Sequence, residues 1–140
     1  MSITQLNPYL IFDGTSAQAI QLYERALGAK TESLQHFGDV PGTPSDSPSK
    51  DRIIHALLRI GAGVVMVSDS RPGEPMPVKS NVHICLAFDD EAEMTQKFEA
   101  LAEGGEVEMA LQDTFWGAKF GTLTDAHGVG WMFNCDKKKG

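Results

Sequence analysis

The chain has 140 residues, 41% of them hydrophobic and 22% charged, with 12 basic against 19 acidic side chains and a formal charge of −7. That length supports one globular domain with a buried core, and the acidic balance gives no attraction to nucleic acid phosphates or anionic membrane surfaces, which excludes both as partners. No apolar run approaches the ~18 residues a bilayer span needs, and the opening MSITQLNPYL has no signal-type pattern, so a soluble cytoplasmic protein is expected. Cys85 and Cys135 each lie in an apolar run outside any CxxC or metal spacing, and read as buried thiols.

In chain order, Leu6 to Phe12 alternates as a short strand. Thr15 and Gln18 then stand at capping-box spacing, Ile20, Tyr23 and Leu27 recur at helical intervals, and Gly28 sits where a left-handed cap ends a helix. Thr31 to Phe37 is a second strand. The segment Gly38 to Asp51, GDVPGTPSDSPSKD, offers almost nothing to bury and predicts a long mobile loop of the kind that serves as a lid. Ile53 to Ile60 and Val64 to Ser68 follow as strands around Gly61-Ala62-Gly63. Pro72, Pro75 and Pro77 mark residues 71–80 as a linker.

The same order returns after the linker. Val82 to Phe88 is a strand, Asp90 and Glu93 cap a helix with Met94, Phe98 and Leu101 on one face, and Gly104 ends it. Glu106 to Leu111, Lys119 to Thr124 and Val129 to Cys135 complete the set, the last two joined by the turn Asp125-Ala126-His127-Gly128. An offset of 76 places Leu10 on Leu86, Phe12 on Phe88, Asp13 on Asp89, Ala26 on Ala102 and Gly28 on Gly104. The reading is an α+β fold of two βαβββ modules within a single domain 1–140, module one 6–70 and module two 81–136. Each curved sheet is covered by its helix on one face, and the concave faces are expected to enclose a cavity.

The stretches PYLIFDG, AIQLYERALGA, HALLRIGAGVVMVSD and FWGAKFGTLTDAHGVGWMFN resemble the vicinal oxygen chelate superfamily of glyoxalases, bleomycin-resistance proteins and extradiol dioxygenases, and within it the PhnB-like branch. The resemblance runs from Asn7 to Asn134. Members of that branch often carry a demethylubiquinone methyltransferase-like label, for which this sequence offers no glycine-rich cofactor turn. The resemblance implies a divalent metal held by the first and last strands of each module. Carried over, those positions are His83, Asn7 in place of a histidine or glutamine, and Met66 and Met132 in place of glutamates. A thioether is a soft, weak ligand for Mg, Mn, Ni or Zn, so no metal and no cofactor are expected. A register shift of one or two residues would bring in Asp69, Asp125 or Asn134.

Strand alternation puts Ile54, Ala56, Leu58 and Ile60 under the first helix and turns His55 and Arg59 to the cavity; it likewise makes Ile84, Leu86 and Phe88 core and turns His83 and Cys85 inward with Asn7 and Tyr9. His55 and His83 are either an acid/base pair or two structural histidines. Met66 and Met132 either make a soft apolar pocket or fill it. Phe115-Trp116-Gly117 offers aromatics for stacking on a flat ligand, or for core or dimer packing. Arg59 either pairs with an anionic ligand group or snorkels to the rim. Trp131 belongs under the helix, His127 in a solvated turn, and Lys137 to Lys139 in a disordered tail. Ser68 and Ser70 lack a nucleophile-elbow context, so no catalytic residue is assigned.

The preferred function is a metal-independent binding protein for a mostly apolar or aromatic small molecule, contacted by Asn7, Tyr9, His55, Arg59, Met66, His83, Trp116 and Met132. The alternative is a metal-dependent lyase, isomerase or dioxygenase with His83 as surviving ligand; a scaffold with a plugged cavity is a third. Exposed sheet edges in so short a chain predict a homodimer.

Overall fold

The computed structural model describes residues 3–74 and 80–137. Two helices and eight strands form the expected α+β arrangement, with the strands in two separate four-stranded mixed sheets. The chain divides into two compact units, residues 1–76 and 77–140. Pro75 and Pro77 of the expected linker, and Lys138 and Lys139 of the expected tail, lie outside the described residues.

The first unit runs β1 (Tyr9–Phe12), α1 (Ser16–Leu27), β2 (Lys30–His36), β3 (Ile53–Ile60) and β4 (Gly63–Asp69), in the sheet order β1-β4-β3-β2. β1 is parallel to β4 and the other pairs are antiparallel. Helix α1 buries Ile20, Leu22, Tyr23, Ala26 and Leu27, which share a core with Ala56 and Leu58 of β3 and Val65 and Val67 of β4. Gly28 ends the helix at φ 72°, a conformation that costs a residue without Cβ nothing.

The start of α1 differs from the expected capping box. Thr15 has φ −109° and ψ 14°, away from the extended cap conformation, and its side chain makes no cap bond. A remote carboxylate satisfies the helix instead. Buried Asp69, at the end of β4, accepts from the Ser16 N–H at 3.0 Å with one oxygen and from the Ile53 N–H at 2.9 Å with the other. Arg52 secures the same corner, donating from Nε to the Ser70 carbonyl at 3.2 Å and pairing with Asp13 at 3.2 Å.

Ile53 is buried while Ile54 lines the open side of the sheet beside Ile11 and Ser68, reversing the expected direction of Ile54. A register shift at Gln35/His36 in the facing strand marks the irregularity that breaks the alternation here. The 38–51 loop is closed at its base, where Phe37 N–H donates to Arg52 O at 2.8 Å and Gly38 N–H to Lys50 O at 2.9 Å. A short 3-10 turn at Phe37–Asp39 and successive turns at Val40–Thr43, Pro44–Ser47 and Ser47–Lys50 fill it.

The second unit runs β5 (Ile84–Phe88), α2 (Glu91–Ala102), β6 (Glu106–Asp113), β7 (Ala118–Thr124) and β8 (Gly130–Asp136), in the sheet order β5-β8-β7-β6 with β5 parallel to β8. Here the Asp90 part of the expected cap forms, accepting from Ala92 N–H at 3.0 Å and Glu93 N–H at 3.5 Å, while the Glu93 side chain turns to Lys97 at 3.8 Å. Met94, Phe98 and Leu101 are buried with Leu123, Trp131 and Phe133, and Phe133 stacks on Phe88 at 5.5 Å and meets Phe98 edge-on at 5.1 Å. Trp131 lies on the helix side, as expected, and its indole N–H donates to buried Asp125 at 2.8 Å. The other Asp125 oxygen accepts from His127 and Val129 N–H, which fixes the β7–β8 turn. Lys137 is not part of a free tail: its N–H donates to Gly117 O at 2.9 Å and its ammonium pairs with Asp113 at 2.8 Å.

Candidate functional site on the open sheet faces

Each sheet has one face under its helix and one open face, and register identifies the open-face neighbours. In the first unit, Tyr9, Met66, Leu57 and Ser33 are successive partners across β1, β4, β3 and β2. The Tyr9 hydroxyl and His55 Nδ1 share a hydrogen bond at 3.2 Å, with the rings edge-on at 5.9 Å. Asn7, half-buried, lies just before β1. Tyr9, His55 and Met66 thus share one face.

Arg59 sits at the far end of β3, between Val64 of β4 and Lys30 of β2. Its guanidinium is bound by the Glu32 carboxylate of β2. That hydrogen bond, reinforced by charge attraction, holds the Glu32 carboxyl below its ordinary range and raises Arg59 further. The charge that suggested an anionic ligand therefore already has a counter-ion from its own chain. An open concavity of about 300 Å³ at the opposite end of the face has Ile11, Phe37 and Ile54 as apolar walls, with Ser68, Arg71 and Glu74 as polar ones. The sequence reading missed it because strict alternation hides Ile54 under the helix.

In the second unit the corresponding row is Cys85, Met132, Thr122 and Met109 across β5, β8, β7 and β6. Ala87, Asn134, Phe120 and Gln112 form the next row. Cys135 is buried as expected, and burial, with the nearby carboxylates of Glu91 and Asp136, pushes its thiol pKa up. Cys85 is exposed, contrary to the reading of two buried thiols, because β5 alternates and its apolar Ile84, Leu86 and Phe88 take the helix side. His83 precedes β5 and lies against Gly130: a Cβ there would stand 2.5 Å from its Cδ2. Trp116, 53% exposed, meets Phe120 edge-on at 5.7 Å, and Phe115 beyond it is 97% exposed. Among the described residues no group of three or more His, Cys, Asp or Glu side chains converges as a metal site.

Two successive βαβββ units, each with a four-stranded mixed sheet, one helix-covered face and one open face, define the paired-module class of α+β proteins. Residues 5–133 match the Glyoxalase/Bleomycin resistance protein/Dioxygenase superfamily, and the chain belongs to that family. It is 36% identical to Protein YjdN of Escherichia coli (strain K12), over 96% of this chain and 97% of the relative. It is similar to the crystal structure of protein PA1353 from Pseudomonas aeruginosa, with 44% identity, a TM-score of 0.85, and coverage of 98% of this chain and 100% of the other. A PhnB protein from Bacillus cereus shares the fold at 22% identity and a TM-score of 0.78, over 94% and 99% of the two chains. No helix among the described residues is long and apolar enough to cross a membrane.

Proposed function

We propose that this chain is a metal-independent small-molecule-binding protein of the family, cytoplasmic and homodimeric, which takes a mostly apolar or aromatic ligand on its open sheet faces. The observation that carries this reading is the donor set. Met66 and Met132, the positions matched to the family's glutamates, lie on the open faces of β4 and β8, and Asn7 and His83 precede the first strands. In neither unit does the set, a thioether with an amide in the first and a thioether with an imidazole in the second, fit a hard divalent cation, which needs oxygen or nitrogen donors throughout. The same residues suit an organic ligand. Thioethers adapt to apolar shapes, the Tyr9–His55 pair offers a proton donor and acceptor, and half-exposed Trp116 offers an aromatic surface. Engaging an anionic ligand at Arg59 requires exchange with Glu32.

The test is a thermal-shift screen of neutral and acidic aromatic compounds on EDTA-treated protein. A ligand at a hundred times its Kd is expected to stabilise by about 2.7 kcal/mol. The shift should fall on Tyr9→Phe or Met66→Ala and persist without metal. Binding that vanishes with EDTA and returns with Mn or Zn would overturn this reading in favour of a metal-dependent enzyme.

A further inference from the structure

The residues that fail as ligands for a hard cation form a different donor set on the open face of the second unit. Cys85 and Met132 are direct partners across the parallel β5–β8 pair. Neighbouring strands lie about 4.8 Å apart, so a thiol and a flexible thioether side by side on one face can close on one ion. Gly130 lies two residues before Met132 on the same face of β8, and the absence of a side chain at Gly130 is filled by the His83 ring. An ideal Cβ at Gly130 would be 2.9 Å from His83 Nε2. The imidazole therefore rests on the same face as the two sulfurs. Met109 continues the row two strands further on, beyond Thr122.

We propose that Cys85, Met132 and His83 form a binding site for a soft monovalent ion, Cu(I) or its mimic Ag(I). Thiolate, thioether and imidazole together select Cu(I), and the register rows around Cys85 and Met132 contribute Thr122, Asn134 and Met109; on the Gly130 row the Glu108 carboxylate is taken up by the Thr124 hydroxyl at 3.2 Å. On binding, the Cys85 thiol gives its proton to water as the sulfur–metal bond forms; the ion keeps its oxidation state. Cys85 is exposed on an edge strand and open to the ion, whereas Cys135 is buried on the helix side. The site goes beyond organic-ligand binding and lies in one unit.

The experiment titrates the anaerobic, fully reduced full chain with Cu(I) alone, against a competing chromogenic Cu(I) chelator. Wild type is expected to take one equivalent per chain. Cys85→Ser, and independently Cys85→Ala, should lower affinity by about a hundredfold, and Met132→Leu and His83→Asn by about tenfold. Cys135→Ala, on the helix side, should leave it unchanged. Thermal unfolding of the Cys85 variants, which remove an exposed side chain, reports that the fold is kept. Equal Cu(I) affinity in wild type and both Cys85 variants would overturn the proposal, as would displacement of Cu(I) by an equal concentration of Zn(II). No organic ligand enters the measurement, so its result is separate from that of the thermal-shift screen.

Discussion

The two units repeat one frame and diverge on one side of it. On the helix side, Ala56, Leu58 and Val67 of the first unit answer to Gly121, Leu123 and Phe133 of the second through the same register, and all six are buried. On the open side, the equivalent row changes from Tyr9, Met66, Leu57 and Ser33 to Cys85, Met132, Thr122 and Met109. Only the methionine recurs. Close packing restricts what a helix-facing position accepts, while an open face is restricted only by what it must bind.

The helix starts supply the sharpest way to break this likeness. α1 depends on Asp69, a carboxylate 53 residues away in sequence that also satisfies β3; α2 depends on Asp90 next to it. Asp69→Ala strands two backbone donors in a buried corner and is expected to cost about 3 kcal/mol in urea unfolding. Asp90→Ala, at an exposed cap, should cost about 1 kcal/mol, and Thr15→Ala less than about 0.5 kcal/mol, because no cap bond is lost. A Thr15 effect as large as that of Asp90 would restore the symmetry.

The smallest expected effect concerns the cation–carboxylate pairs, Glu32 with Arg59 in the first unit and Asp113 with Lys137 in the second. The Lys137 hydrogen bond and charge hold the Asp113 carboxyl below its ordinary value. A carboxylate lowered on folding adds stability above its unfolded pKa, and that stability is lost as pH falls through the lowered value. Both groups are exposed, so the contribution is small. In an NMR titration, Lys137→Met should move Asp113 up toward the usual carboxylate range and leave Glu32 unchanged. A Glu32 that moved as well would join two pairs that the structure keeps in separate sheets.

Elements whose cause is local were legible in the sequence. Gly28, Gly104 and the Asp90 cap, the apolar faces of both helices and the buried position of Trp131 all follow from spacing within a few residues. Where the cause is distant or irregular, the reading failed. No local pattern assigns the α1 start to Asp69, and a period of two cannot anticipate that Ile54 turns to the open side while Ile53 is buried. Cys85 illustrates a third case. Its apolar neighbours made it look buried, yet alternation along β5 sends those neighbours one way and the thiol the other. For the candidate site, the strand positions of Tyr9, His55, Met66 and Met132 were readable, but the Glu32 partner of Arg59 and the seat of His83 on Gly130 depend on pairings between strands.

The parallel pairing of β1 with β4, and of β5 with β8, also sets an order of assembly. The β3–β4 pair closes across a turn at Gly61, and β7–β8 across the Asp125 turn, so both form from neighbours in the chain. Tyr9, by contrast, finds its partner only at Met66, and Cys85 only at Met132. Closing those long loops carries the larger entropic cost and gains nothing until the recipient strand is in place. In each unit the first strand in sequence is therefore expected to dock last during refolding, and the Tyr9–His55 and Cys85–Met132 neighbourhoods come into being only at that final step.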